Sequence, residues 1–119
     1  MAAPNIVNVT SITGNTATLN VTTVASNVIA NPVNSNSVYK INSLVISNYD
    51  TANNATVTAS LLRGGIVNFI TGSTTVPYTA SLVIIAKDTS IYLAEGDAIR
   101  LTGSANNRLW ATCAHEIIA

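Results

Sequence analysis

One cysteine and one histidine occur in this sequence, and they lie two positions apart as Cys113 and His115. At this spacing both side chains project from the same face of a β-strand, so a thiolate-imidazole pair or a metal site is sterically conceivable. Leu109, Ala111 and Ile117 share that face, and such an apolar row favours a buried cysteine and histidine in the core. A structural zinc site takes about four ligands, and no second cysteine or histidine is present. We therefore predict no bound metal, no cofactor and a structural role for both residues.

Paired carboxylates are the next candidates for chemistry, at Glu95 and Asp97 on either side of Gly96. The pattern predicts a polar hairpin turn here, where solvent would leave both groups with ordinary acidity, whereas a general acid needs a perturbed pKa. Gly64-Gly65 is typical of a tight hairpin, because no phosphate-binding pattern follows it. The sequence therefore contains no candidate catalytic residue, and we expect no enzymatic activity.

The composition is informative about the surface of the protein and indicates no particular functional site. The 119 residues fit one domain, 1–119, and only 8% are charged, with five positive residues balancing five negative ones. The lysines and arginines are scattered, which argues against nucleic acid binding. No stretch is typical of a signal peptide or a membrane helix, so we expect a soluble, unprocessed protein without membrane contact. So little charge predicts a surface that other subunits partly cover.

Two-residue alternation recurs along the chain, whereas long helical periodicity does not. It predicts an all-β fold, a single antiparallel β-sandwich of jelly-roll type with about eight or nine strands. Strict alternation along VYKINSLVISN places Ile41 and Ile46 on opposite faces. The apolar run from Leu82 to Ala86 predicts a strand buried on both sides or a subunit contact. The predicted strands are NIVNVTSIT, TATLNVTTV, VYKINSLVISN, TVTASLLRG, IVNFITG, YTASLVIIAK, the two strands of SIYLAEGDAIRLTG, and NRLWATCAHEII.

Two groups of residues are candidates for an interface. Residues 25–37 lack alternation and are interpreted as an internal loop or an arm, whose apolar Val28, Ile29 and Val33 we expect to contact an adjacent subunit. Tyr92 and Trp110 fall on strand faces opposite the predicted core rows. They either anchor a protein interface or are covered by a second sheet.

The C-terminal third KDTSIYLAEGDAIRLTGSANNRLWATCAHEII, the opening MAAPNIVNVTSITG and the central VYKINSLVISNYDTANNATVTASL carry a resemblance. Together they resemble a family of small structural proteins in the virions of tailed bacteriophages, notably those that infect marine cyanobacteria. The resemblance implies a virion protein without catalytic residues that is assembled in the host cytoplasm. A capsid decoration, or cement, protein on the capsid surface fits it best. Its partners would be the major capsid protein or other virion proteins, and it would be a homo-oligomer, with a trimer as the expected form.

Two other roles remain open. The chain could belong to the tail, the neck or a fibre, or it could be a carbohydrate-binding module in which Trp110 and the tyrosines form a stacking platform. Glycan binding predicts an exposed aromatic cluster beside a groove of asparagine and aspartate. Cementing predicts a broad, weakly charged face.

Overall fold

The structure is a computed structural model that describes residues 11–119, and nine strands occur in that range. The strands are β1 Ile12–Val21, β2 Ser26–Ala30, β3 Val38–Asn48, β4 Ala55–Arg63, β5 Ile66–Val76, β6 Ser81–Ile85, β7 Ile91–Leu93, β8 Ala98–Gly103 and β9 Leu109–Ile118. The described part contains a 3₁₀ turn, Lys87–Thr89, and no helix long and apolar enough to cross a membrane. The strand predicted for NIVNVTSIT lies largely outside the described residues.

The strands form two antiparallel sheets. Sheet A has the order β1-β9-β3-β6, with β7 also paired to β3, and sheet B has the order β2-β8-β4-β5. Strands β1 to β4 alternate one by one between sheet A and sheet B. The two strand orders are those of a jelly roll in which β6 and β7 share one strand position. The predicted all-β sandwich is confirmed.

The core lies between the sheets and is made by every second residue of the central strands. On β9 these are Leu109, Ala111 and Cys113, which are fully buried. Sheet B contributes the facing side chains from β4 and β8, including Leu101 and Ile99. Because a buried aliphatic side chain is worth about 1.5 to 3 kcal/mol, this alternation is what holds the two sheets together.

Strand β3 breaks its own alternation at Asn42. Ile41 is buried and so is Leu44, three positions later, because the pairing with β9 skips Asn42. Such a bulge shifts the inward face by one residue. The prediction that Ile41 and Ile46 lie on opposite faces is therefore wrong, since both are fully buried in the core. The Asn42 side chain donates a hydrogen bond to Glu116 Oε1 at 2.9 Å, which ties the bulge to β9.

The prediction of a loop or arm over residues 25–37 is wrong for its first half. Ser26–Ala30 is strand β2 and pairs with β8, with a bulge at Val28. Val28 is only 7% exposed and belongs to the core, and Ile29 packs partly buried against it. The signal was obscured because the bulge interrupts the alternation. Val33, at 72% exposure, is the one of the three predicted contacts that does face solvent.

Asn31 anchors the segment that follows β2. Its amide group donates hydrogen bonds to the carbonyl oxygens of Ser37 at 2.9 Å and Leu93 at 3.0 Å. Its own backbone pairs with the turn before β8, through Gly96 N–H and the Asp97 carbonyl. A buried asparagine that satisfies backbone groups in this way fixes the end of the sandwich.

The turn at Glu95-Gly96-Asp97 is also different from the prediction. It is not a hairpin, because β7 belongs to sheet A and β8 to sheet B, so the chain crosses between sheets here. Gly96 has φ +87°, which favours glycine. Asp97 is buried and not exposed to solvent. The predicted Gly64-Gly65 hairpin, by contrast, is confirmed, with φ values of +60° and +76° between β4 and β5.

Two strand predictions are adjusted as well. β1 runs without interruption through Gly14-Asn15, where the pattern placed the boundary between two strands. Within Leu82–Ala86, Val83 faces solvent, because it lies opposite Val45 on the outward side of sheet A. Burial on both sides is thus wrong within the chain, and the alternative, a subunit contact, stays a prediction.

Candidate interaction surfaces

Cys113 and His115 lie inside the sandwich, as the apolar row predicted. Burial raises the pKa of the Cys113 thiol to about 11, so its reactive thiolate form is scarce at neutral pH. The His115 ring stacks on Tyr39, with ring centroids 5.6 Å apart and planes 8° from parallel. Its Nδ1 lies 3.4 Å from the Cys113 carbonyl oxygen. Both residues therefore pack in the core and stabilise it.

The buried carboxylate Asp97 has a structural partner. Its Oδ2 accepts hydrogen bonds from Arg63 Nε at 2.9 Å and Nη2 at 2.7 Å, and from the Ala94 N–H at 2.9 Å. The hydrogen bond and the charge of Asp97 raise the pKa of Arg63. This pair joins the end of β4 in sheet B to the turn that enters β8. Asp97 therefore stabilises the crossover between the sheets and has a structural role.

A second carboxylate, Asp50, organises the turn after β3. It accepts the backbone N–H groups of Ala52 at 2.8 Å and Asn53 at 3.0 Å, and these bonds lower its pKa. Arg108 Nε lies 3.7 Å from its other oxygen. Among residues 11–119 no three histidine, cysteine, aspartate or glutamate residues are grouped to hold a metal ion.

The outward side chains of sheet A form a broad surface, which we call the outer face of sheet A. Strand register places them in rows across β1, β9 and β3, and the middle rows are made of threonine, serine, alanine and valine. Its charged side chains are Lys40 and Glu116, which lie directly opposite each other on β3 and β9. Opposite charges in such a position attract each other. Because the positive and the negative charge balance, the face as a whole is weakly charged.

Tyr92 and Trp110 lie on this same face, near opposite ends. Trp110 is 41% exposed and is paired with Ser47, whereas Tyr92 is 46% exposed and is paired with Lys40. Along β9, Trp110 is six residues from Glu116, which lies opposite Lys40, so the two ends are about 20 Å apart at roughly 3.3 Å per residue. No second sheet of the described chain covers either aromatic ring, so the two residues are accessible to a partner.

Trp110 is part of a small aromatic cluster. Tyr49 packs against it edge to face, with ring centroids 6.4 Å apart and planes 65° apart. The Tyr49 hydroxyl donates to Asn20 Oδ1 at 3.2 Å, and Asn20 is the β1 partner of Trp110. The indole ring is thus held beside an amide and a phenol on the outer face of sheet A.

The structure does not bring the five predicted interface residues together. Val28 and Ile29 belong to sheet B and the core, and Val33 lies at one end near Gly96. Only Tyr92 and Trp110 share a face.

Sequence reasoning missed the most exposed apolar stretch, the start of β5. Ile66 is 65% and Phe69 72% exposed, and Val67 between them is exposed as well. The available signal was four residues, IVNF, in which apolar side chains fall on both faces of a strand directly after a glycine turn.

Comparison with known proteins supports the architecture. No protein-family model and no curated protein matches the chain. A solved structure of Bacillus endospore appendages, described as a novel family of disulfide-linked pili, is similar to it with a TM-score of 0.54 and 14% sequence identity. The match covers 92% of this chain and 88% of that chain. At this identity the likeness shows the fold alone.

Proposed function

We propose that this chain is a non-enzymatic structural protein of a bacteriophage virion, a capsid decoration protein that binds the major capsid protein through the outer face of sheet A. The observation that carries the proposal is that face, which is broad and weakly charged and has accessible aromatic rings near both ends. A shell lattice presents a broad repeated surface, and a broad sheet face offers a contact area of the same kind.

The assignment to a virion rests on the sequence resemblance to virion proteins of tailed phages. The residue chemistry agrees with a non-enzymatic role, because each candidate for chemistry has a structural task. Cys113 and His115 pack the core, Asp97 binds Arg63, and Asp50 caps a turn. The working form is a homo-oligomer, for which we propose a trimer.

The copy number of the chain in purified virions tests this proposal. Quantitative mass spectrometry should give hundreds of copies per particle for a decoration protein. Six, twelve or eighteen copies would instead assign it to the neck, tail or a fibre. A chain absent from the particle would refute a virion role.

The binding face can be tested separately. Trp110→Ala and Tyr92→Ala together should reduce incorporation into particles, because exposed aromatic residues commonly supply much of the energy of an interface. Tyr78→Ala is the control, since Tyr78 is similarly exposed but lies outside sheet A, between β5 and β6. Equal incorporation of both variants would exclude the outer face as the capsid contact.

Glycan binding is a second candidate, favoured by the cluster of Trp110, Tyr49 and Asn20. An aromatic ring stacks on the apolar face of a sugar, and a neighbouring amide can bind its hydroxyl groups. Screening the purified protein on a glycan array, with Trp110→Ala as control, tests it. A signal that disappears in the variant would support this function, and no signal would exclude it for the glycans screened.

A further inference from the structure

The narrow sides of the sandwich are built from edge strands. On one side β1 of sheet A lies against β2 of sheet B, and on the other side β6 lies against β5. We call these the β1/β2 side and the β5/β6 side. Each edge strand has one unpaired edge within the described chain.

The four edge strands themselves carry no charge, whereas the Lys87–Thr89 turn that follows β6 along the same edge contains Lys87 and Asp88. The first charged residue in the sequence is Lys40, and none lies between Arg63 and Lys87. All ten charged residues therefore fall outside β1, β2, β5 and β6. These strands also contain no proline. Soluble proteins normally protect a sheet edge with charge, proline or a covering segment, because an open edge pairs with other chains. Within residues 11–119 these four edge strands have no such protection along their own lengths, which indicates that pairing is part of the working state.

The lengths of the edge strands indicate which ones pair. β1 has 10 residues and β5 has 11, whereas β2 and β6 have 5 each. We propose that the β1/β2 side of one copy binds the β5/β6 side of a second copy, with β1 alongside β5. Sheet A of one subunit then continues into sheet B of the next. Pairing of like sheets would instead place β1 against β6, the charged Lys87–Thr89 turn and β7, and would leave half of β5 open beside β2.

Exposed apolar side chains lie where this contact forms. Ile66, Val67 and Phe69 are on β5, and Ile12 is on β1 with Val24 in the loop between β1 and β2. A twofold contact between two β5 strands would bury only the first group and leave the β1/β2 side open. The head-to-tail contact uses uncharged strands on both sides of every subunit.

This inference deepens the proposed function and rests on it, because it says through which sides the proposed homo-oligomer assembles. It also rests on a different surface, the sides and not the outer face of sheet A. Head-to-tail contacts close into a ring where the rotation allows it, and a trimer is the smallest such ring after the dimer. Where the rotation does not close, they continue as a chain of subunits.

Two charge-bearing variants block one side each. Thr16→Lys with Thr18→Lys places two charges on β1, at exposed positions. Val67→Lys with Phe69→Lys places two on β5, with Thr75→Lys in its place if that variant does not fold. The matched control, Thr102→Lys with Thr112→Lys, adds the same charge to the central strands β8 and β9. Circular dichroism establishes folding, and sedimentation velocity measures assembly.

The wild type and the control should sediment as assemblies, and each blocked variant alone as a monomer. An equimolar mixture of the two blocked variants should give dimers and nothing larger, since each partner retains one complementary side. A twofold β5 contact would leave the β1 variant assembled and the mixture without new dimers. That result, or a wild type that remains monomeric at every concentration, would overturn the inference.

The result is separable from the virion proposal. A wild type that enters particles but remains monomeric in solution would refute the side-to-side contact and leave the capsid role intact. A wild type that assembles in solution but is absent from particles would do the reverse.

Discussion

Val28 and Val33 provide a direct test of how residues 25–37 are built into the fold. They are the same residue type, five positions apart, yet Val28 is buried in the core and Val33 is exposed. Val28→Ala removes two methyl groups from the core, at about 0.8 kcal/mol each, and leaves a cavity. We expect the free energy of unfolding to fall by about 2 to 3 kcal/mol. Val33→Ala should change it by less than about 0.5 kcal/mol.

Urea unfolding followed by Trp110 fluorescence measures both changes. For a chain of this length each kcal/mol corresponds to roughly 4 °C in Tm, so Val28→Ala should unfold about 8 to 12 °C below the wild type. Variants must be compared at one protein concentration, because assembly adds to apparent stability. A Val28→Ala variant as stable as Val33→Ala would refute the docking of β2 and restore the arm interpretation.

Three further predictions concern titratable groups. Cys113 should not react with a chromogenic disulfide reagent in the native protein and should react fully in denaturant, since its pKa is about 11 and its side chain is buried; rapid native reaction would contradict this packing. The backbone N–H groups of Ala52 and Asn53 lower the pKa of Asp50 below its ordinary 3.8, so its stabilisation is present above that pH and lost as the pH falls through the lowered pKa. The stability difference between wild type and Asp50→Asn, measured by urea unfolding from pH 7 to pH 2, should shrink below about pH 3.8, and a constant difference would exclude the linkage. Asp97→Ala leaves a guanidinium and a backbone N–H without their acceptor and should cost about 1 to 3 kcal/mol by the same assay; a neutral substitution would show that the crossover does not depend on this pair.

The sequence predicted the fold class because alternation is a local signal that most strands obey. β9 shows it cleanly, with Leu109, Ala111 and Cys113 inward and Trp110 outward. From the same alternation, Tyr92 and Trp110 were correctly assigned to outward faces. What could not be read locally is where alternation is interrupted. The bulges at Val28 and Asn42 add one residue each, and nothing in their residue types identifies the added position.

The sheet to which a strand belongs was equally hidden. A short turn at Glu95-Gly96-Asp97 is typical of a hairpin, and only the tertiary pairing makes it a crossover between sheets. The burial of Asp97 could not be predicted from its neighbours in the sequence either, because its partner Arg63 is 34 positions away in the chain. The exposed stretch at the start of β5 was missed because an apolar strand predicts core until its place at an edge is known.

The position of β9 between β1 and β3 has a consequence for synthesis of the protein. Sheet A cannot form without β9, because β1 and β3 do not pair with each other and both pair with it along its length. β9 is translated about 60 residues after β3, a delay of roughly 3 to 12 s at 5 to 20 residues per second. Throughout that time the nascent chain presents unpaired, nearly uncharged strands to its neighbours on the same messenger. Aggregates formed during overexpression should therefore originate in chains that still lack β9, and slower initiation of translation should reduce them more than any change to the finished subunit.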